Sequence, residues 1–204
     1  MNVVLMTSRS GSSLVCKILA AHGLRWQHGK EFPEQVRRGE GHPYFTYENH
    51  HVKEGLRKCS PGEKWPMGEL LPVTNKRLDI LKHAMSDENI DFVKSGVEFA
   101  ELWAAWGEVV CEGINFVKVY RPPQDVADSF VRRGIGEWQL AYDTAQARFR
   151  LMDDIPGHWV HTHKLASGNF YEANIQRAVM SCGAIFDADI TDSCIKRGIF
   201  HGQI

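Results

Sequence analysis

Short apolar runs alternate along this chain with stretches whose apolar residues recur at helical intervals, the two signatures of buried strands and one-sided helices. Asn2–Met6 is the first such run; it ends in polar, glycine-bearing residues and predicts a strand buried on both faces. Residues 12–22 follow as a helix, with Leu14, Val15, Ile18 and Leu19 on one stripe and Gly23 where a helix stop belongs. Residues 25–73 break the rhythm. Gly, Pro, His and charged residues dominate there, apolar periods are few, and a long, partly irregular segment is expected.

Regular alternation resumes at Thr74, which reads as the cap of a helix carrying Leu78, Leu81 and Met85 on one face. Residues 91–94 and 116–120 predict strands, and 97–106 a helix. A helix over 124–133 is opened by Pro122-Pro123 and closed by Gly134. A longer one over 138–152 aligns Ala141, Ala145, Phe149 and Met152. A strand over 159–163 would set His161 and His163 on one face. A helix over 171–182 aligns Tyr171, Ile175, Ala178, Val179 and Cys182 ahead of Gly183. Strands separated by helices imply an α/β fold with a mainly parallel sheet, whose ligands sit beyond the carboxyl ends of the strands.

Composition narrows the function classes. The 204 residues suit a single domain, 1–204, large enough to bury a core without staples. The net charge of −1 provides no global field for nucleic acid or an anionic membrane, so any anion site must be local. Five scattered cysteines, odd in number, read as thiols in a reducing compartment. The start of the chain has neither a basic leader nor a long apolar stretch, which argues against a signal peptide or membrane span. A cytoplasmic location is expected. The ten histidines lack H-E-x-x-H or clustered Cys/His spacing, so no metal site is expected.

The segment joining the first strand to the first helix carries candidate chemistry. In Thr7-Ser8-Arg9-Ser10-Gly11-Ser12-Ser13, Gly11 lets the backbone approach a ligand, and the N–H groups of the helix start favour an anion. Ser10, Ser12 and Ser13 add hydroxyls, and Arg9 adds a planar cation. A simple serine cap beside a surface arginine is the plain alternative. The loop lacks the spaced glycine and the lysine of G-x-x-x-x-G-K-[ST], which counts against a Mg-nucleotide kinase or GTPase.

Arg9-Ser10-Gly11-Ser12-Ser13-Leu14 resembles the 5′-phosphosulfate loop of the sulfotransferases that use 3′-phosphoadenosine 5′-phosphosulfate (PAPS), in its R-S-G-[ST]-[ST] form. Val119-Tyr120-Arg121-Pro122-Pro123-Gln124-Asp125-Val126-Ala127-Asp128-Ser129 resembles the same family's 3′-phosphate motif, a strand ending in R-x-P-x-D-V-x-x-S. Arg121 and Ser129 keep the family's spacing; an Arg121–Asp125 pair with Ser129 facing solvent is the alternative. Phe92-Val93-Lys94 is similar to a lysine-ended strand of the family, and residues 42–48 and 160–187 match it in outline.

The resemblance implies a three-layer, P-loop-like fold with a mainly parallel sheet flanked by helices. It also implies a sulfotransferase that moves a sulfonate from PAPS to a hydroxyl or amine of a small-molecule or glycan acceptor, without metal. Nucleotide binding would fall to Arg9, Ser10, Gly11, Ser12, Ser13, Arg121 and Ser129. Arg9 would neutralise leaving-group charge, and Lys94 would either assist it or be a solvated strand cap. The family's base is a histidine or glutamate; Glu31, in Lys30-Glu31-Phe32, is the first candidate, with Glu48, His50 and His51 as rivals. A carboxylate paired with Lys30 or Arg25 is the plain reading of Glu31. A non-catalytic relative that binds PAPS or its product adenosine 3′,5′-bisphosphate (PAP), or a P-loop-type kinase, is the alternative function. Pairing into a homodimer is left open, and residues 25–73 are expected on the acceptor side.

Overall fold

The sequence folds around β1 (Asn2–Met6), whose uninterrupted apolar run is buried on both faces in the computed structural model, which describes residues 1–26, 49–59, 69–86 and 89–199. β1 pairs in parallel with β2 (Phe92–Gly96) on one side and β3 (Asn115–Tyr120) on the other, and β3 pairs with β4 (His158–His161). The resulting order, β2-β1-β3-β4, is an all-parallel four-stranded sheet.

Helices cover both faces, because strands buried on two sides need an apolar partner on each. Val3, Leu5, Val93 and Phe116 face one core with α2 (His50–Cys59), α3 (Asn75–Met85), α4 (Ala100–Val109), α5 (Pro123–Val131) and α6 (Trp138–Asp153). Val4, Phe92, Val117, Val119 and Val160 face the other, with α1 (Ser12–Ala21), α7 (Thr162–Ala166), α8 (Ile175–Ser181) and α9 (Ala188–Ile199). The expected three-layer α/β architecture is therefore present. No helix among the described residues is long and apolar enough to cross a membrane. All five cysteines are thiols, four of them buried.

Several boundaries differ from the sequence pattern. β2 runs on to Gly96, so Lys94 lies within the strand rather than at its end. β4 stops at His161 and Thr162 opens α7, so His161 and His163 do not share a strand face. α8 starts only at Ile175, because Asn174 takes a left-handed φ of 57° and leaves Tyr171 exposed in the preceding turns. Besides α7, two helices escaped the pattern. α2, within the segment read as partly irregular, has only Val52, Leu56 and Cys59 as buried apolar positions among charges. Tertiary contacts hold it: the Asn49 side chain accepts from Val52 N at 3.0 Å, and Arg77 Nε donates to Cys59 O at 2.9 Å. Gly55 allows the close approach to α3, since a Cβ there would lie 2.6 Å from that of Ala84. α9 is started by Asp187, whose carboxylate accepts from Asp189 N and Ile190 N at 2.8 and 3.0 Å.

One buried charge ties a helix to the sheet. Lys118, in the middle of β3, donates to Met152 O at 3.0 Å and Ile155 O at 2.7 Å at the end of α6. Its ammonium also lies 4.6 Å from the Trp159 ring centre. Burial lowers its pKa from the usual lysine value. The ammonium adds a charged donor to Met152 O, which also accepts from Ile155 N at 3.3 Å, and to Ile155 O just past the helix, and its charge suits the negative end of the helix dipole. Lys118→Met is expected to cost about 1–3 kcal/mol of stability, because both carbonyls lose a charged donor. Urea unfolding of the two chains measures this, and an unchanged midpoint would deny the anchor.

Candidate functional site

Parallel pairing brings the ends of β1, β2, β3 and β4 to one edge, and the chain leaves β1 for β2 on one side and reaches β3 on the other. The crevice between the β1 and β3 ends is thus the switch point at which open α/β sheets bind ligands. The two sequence motifs meet there. Arg9 Nε donates to Ser129 Oγ at 3.1 Å across 120 residues of chain. Arg121, one residue past β3, directs Nη1 to Arg9 O at 3.5 Å.

The loop is held in an uncommon shape. Arg9 and Gly11 have φ values of 67° and 89°, and no side chain caps the start of α1. The first N–H groups of that helix have no helical acceptor, so their donors and the positive dipole end face the loop. A left-handed arginine is costly and persists only where its surroundings enforce it. Thr162 is the principal enforcer. Its hydroxyl lies 2.7 Å from Ser10 O and 3.1 Å from Tyr120 O, so a single proton bridges the loop and the β3 end. Thr162 also packs beneath Gly11, where any Cβ would come within 3.0 Å of it.

Each site residue expected from sequence has a definite place. Ser10 is fully buried and its hydroxyl has no hydrogen-bond partner, so it lies beneath the loop rather than on its face. Ser12 is buried at the first turn of α1, and Ser13 Oγ accepts from Lys94 Nζ at 3.1 Å. Lys94 is therefore turned to the loop and is not a solvated cap. Arg121 Nε lies 3.8 Å from Asp125 Oδ2, a long contact, and Ser129 is only 6% exposed, so the alternative with Ser129 facing solvent does not hold. Arg25 forms a forked pair with Asp91, at 3.0 and 2.9 Å. The hydrogen bond from Arg25 lowers the Asp91 pKa. Glu31 and Glu48 lie outside the described residues. His50 and His51 open α2, and His51 is exposed.

The fold brings to this edge three groups to which the sequence assigned no role in the site. Thr162 is one. The second is the pair His161 and His163, whose ring centres are 5.9 Å apart and which both pack edge-on against Tyr120. Burial lowers both histidine pKa values, and the neighbouring Lys164 adds to it. The third is Glu98, two residues past β2, whose Oε2 is buried without a hydrogen-bond partner while Oε1 is 3.9 Å from Arg148 of α6. Its only sequence signal is an acidic residue just after a strand. Among the described residues, no group of three His, Cys, Asp or Glu side chains could hold a metal ion.

The sequence matches no protein-family model and no curated protein. In three dimensions the chain is similar to the sulfotransferase domain from the Synechococcus PCC 7002 olefin synthase, with a TM-score of 0.52 at 13% identity. The similarity covers 93% of this chain and 75% of that domain. At that identity the likeness establishes a sulfotransferase-like fold.

Two outcomes follow from this geometry. Thr162→Val keeps the side-chain shape but removes the bridging proton, so it should cost about 0.5–1.5 kcal/mol and speed amide exchange in residues 7–13. Thr162→Ser should restore slow exchange, as hydrogen-exchange mass spectrometry will show. Acid should also weaken the fold through His161 and His163. Their folded pKa values lie below the ordinary 6.5, so the unfolded chain binds more protons in that window, and their contribution fades as pH falls from neutrality through 6.5 to the folded values. Calorimetric Tm against pH should flatten over this window in the double variant His161→Gln, His163→Gln.

Proposed function

We propose that this chain is a sulfotransferase that takes its sulfonate from PAPS and passes it to a hydroxyl or amine of a small-molecule or glycan acceptor. The supporting observation is the meeting of the two motifs: Arg9, Ser13, Lys94, Arg121 and Ser129 converge at the carboxyl edge of a sheet with a sulfotransferase-like fold.

The donor set suits an anionic nucleotide with two phosphate positions. The 5′-phosphosulfate would rest on the first turn of α1, against the N–H groups that follow Gly11 and the hydroxyls of Ser12 and Ser13. The 3′-phosphate would lie against Arg121 and Ser129. Ser129 Oγ already accepts from Arg9, so its own proton is left to donate to a phosphate oxygen. Arg9 lies in the seam between the two positions, where its cation offsets charge growing on the departing bisphosphate. Lys94, at Ser13, reaches the same oxygens from the β2 side. Fixed cations and backbone donors can stabilise this transfer without a metal, since the sulfonate carries less charge than a phosphoryl group.

Thermal shift separates this reading from its rivals. PAP should raise Tm in the absence of metal, whereas stabilisation by Mg-ATP alone would point to a kinase. Arg121→Ala should weaken PAP by roughly tenfold or more, the worth of about 1.5–3 kcal/mol for a charge-assisted contact. The same change should leave adenosine 5′-phosphosulfate, which lacks the 3′-phosphate, nearly unaffected. Equal calorimetric losses for both ligands would remove the 3′-phosphate assignment.

A further inference from the structure

We infer that Glu98 is the group that takes the acceptor's proton. The inference rests on the sulfotransferase reading and names a residue of the same site.

The carboxylate of Glu98 does not extend away from the strand that precedes it. It folds back over Gly96, the last residue of β2, and a Cβ built there would lie 2.5 Å from both of its oxygens. Side chains two residues apart on a strand point to the same face. The carboxylate therefore fills the side-chain position that follows Lys94 on the face of β2 where Lys94 meets Ser13 of the loop. The strand register places Gly96 beside Met6, the last residue of β1, from which the loop departs. Lys94 is thus directed at the loop, and the Glu98 carboxylate lies over the next same-face position of β2, at its carboxyl end.

The surroundings of Glu98 hold it there and leave one oxygen unused. Its main-chain oxygen accepts from Leu71 N at 2.7 Å, which pins the turn over Val97–Phe99. Oε1 has Arg148 at 3.9 Å, a long contact. Oε2 is shielded from water and has no donor among the described residues. A buried carboxylate oxygen without a donor is costly, and native proteins keep such groups where a ligand completes them. An acceptor hydroxyl supplies the missing donor. In the transfer the acceptor O–H proton passes to Oε2 and the acceptor oxygen forms the new bond to sulfur. The bond from sulfur to the bridging oxygen breaks, and its electron pair leaves on the bisphosphate. Gly96 has a role of its own, because any larger residue would displace the carboxylate.

The test uses the full chain, PAP for binding, and labelled PAPS with water, phenol and 4-nitrophenol as acceptors. Glu98→Gln should keep the PAP-induced Tm shift. It should lower transfer to water and phenol by roughly 10²–10⁴-fold, the usual scale for a lost general base. Transfer to 4-nitrophenol, which is largely ionised in mildly alkaline buffer, should fall less than about tenfold, because no proton remains to be removed. Glu98→Asp should recover part of the phenol rate, and Glu31→Gln should keep it. Equal losses on both phenols would mean a structural role and overturn the assignment. So would full activity in Glu98→Gln, or loss in Glu31→Gln alone. A wild-type chain that is stabilised by PAP yet accelerates no transfer, even to water, would overturn the role of Glu98 while leaving nucleotide binding intact. Absence of PAP stabilisation as well would overturn the sulfotransferase reading itself.

Discussion

Everything in this molecule depends on β1 being hydrogen-bonded in parallel on both sides. A strand so placed has no edge and no wet face, so its side chains must be apolar throughout, as Val3, Val4 and Leu5 are. Parallel neighbours also share a direction, which brings every strand's carboxyl end to one rim. The loop after β1, Arg121 after β3 and Thr162 after β4 then become neighbours without any contact between them in sequence. A nearly neutral chain obtains a concentrated cationic site in this way, from a few residues and one helix start.

The shape of the loop after β1 is enforced rather than intrinsic. Arg9 holds a backbone conformation that an isolated chain would avoid, and Gly11 holds one open chiefly to glycine. What stabilises both is the β4 side, through the Thr162 hydroxyl below the loop, and the α5 side, through Ser129. Lys118 acts similarly at longer range: by capping α6 it fixes the helix from which Arg148 faces Glu98. The site is therefore assembled by elements on both faces of the sheet. Polar groups that the core cannot avoid, such as Lys118 and Thr162, serve as ties between layers.

The chemistry divides along the same rim. Cations gather where β1 and β3 end, suited to the phosphates of a donor nucleotide. The carboxylate of Glu98 stands toward β2, away from Arg121.

Much of this was legible in the sequence, and the reasons are local. Short apolar runs identified β1, β2 and β3, although Lys94 interrupts the second and Lys118 the third. Helical stripes identified α1, α3 and α6. The two motifs that meet at the rim stood out because each is a run of particular residues in unbroken order, as in Arg9–Ser13. The pattern missed α2, whose few apolar positions become a helix only against α3, and extended α8 across the left-handed Asn174. It gave Glu31, by analogy of context, the role for which Glu98 is the candidate at the described rim. Nothing local distinguishes Glu98 from any surface carboxylate. Its buried oxygen and its fold over Gly96 arise from the turn that follows β2, and Thr162 likewise matters only because β4 ends beside the loop. Composition and spacing determine elements and contiguous motifs, since these depend on residues close in the chain. Which distant side chains meet is decided by tertiary packing, since only the folded sheet brings those strand ends together.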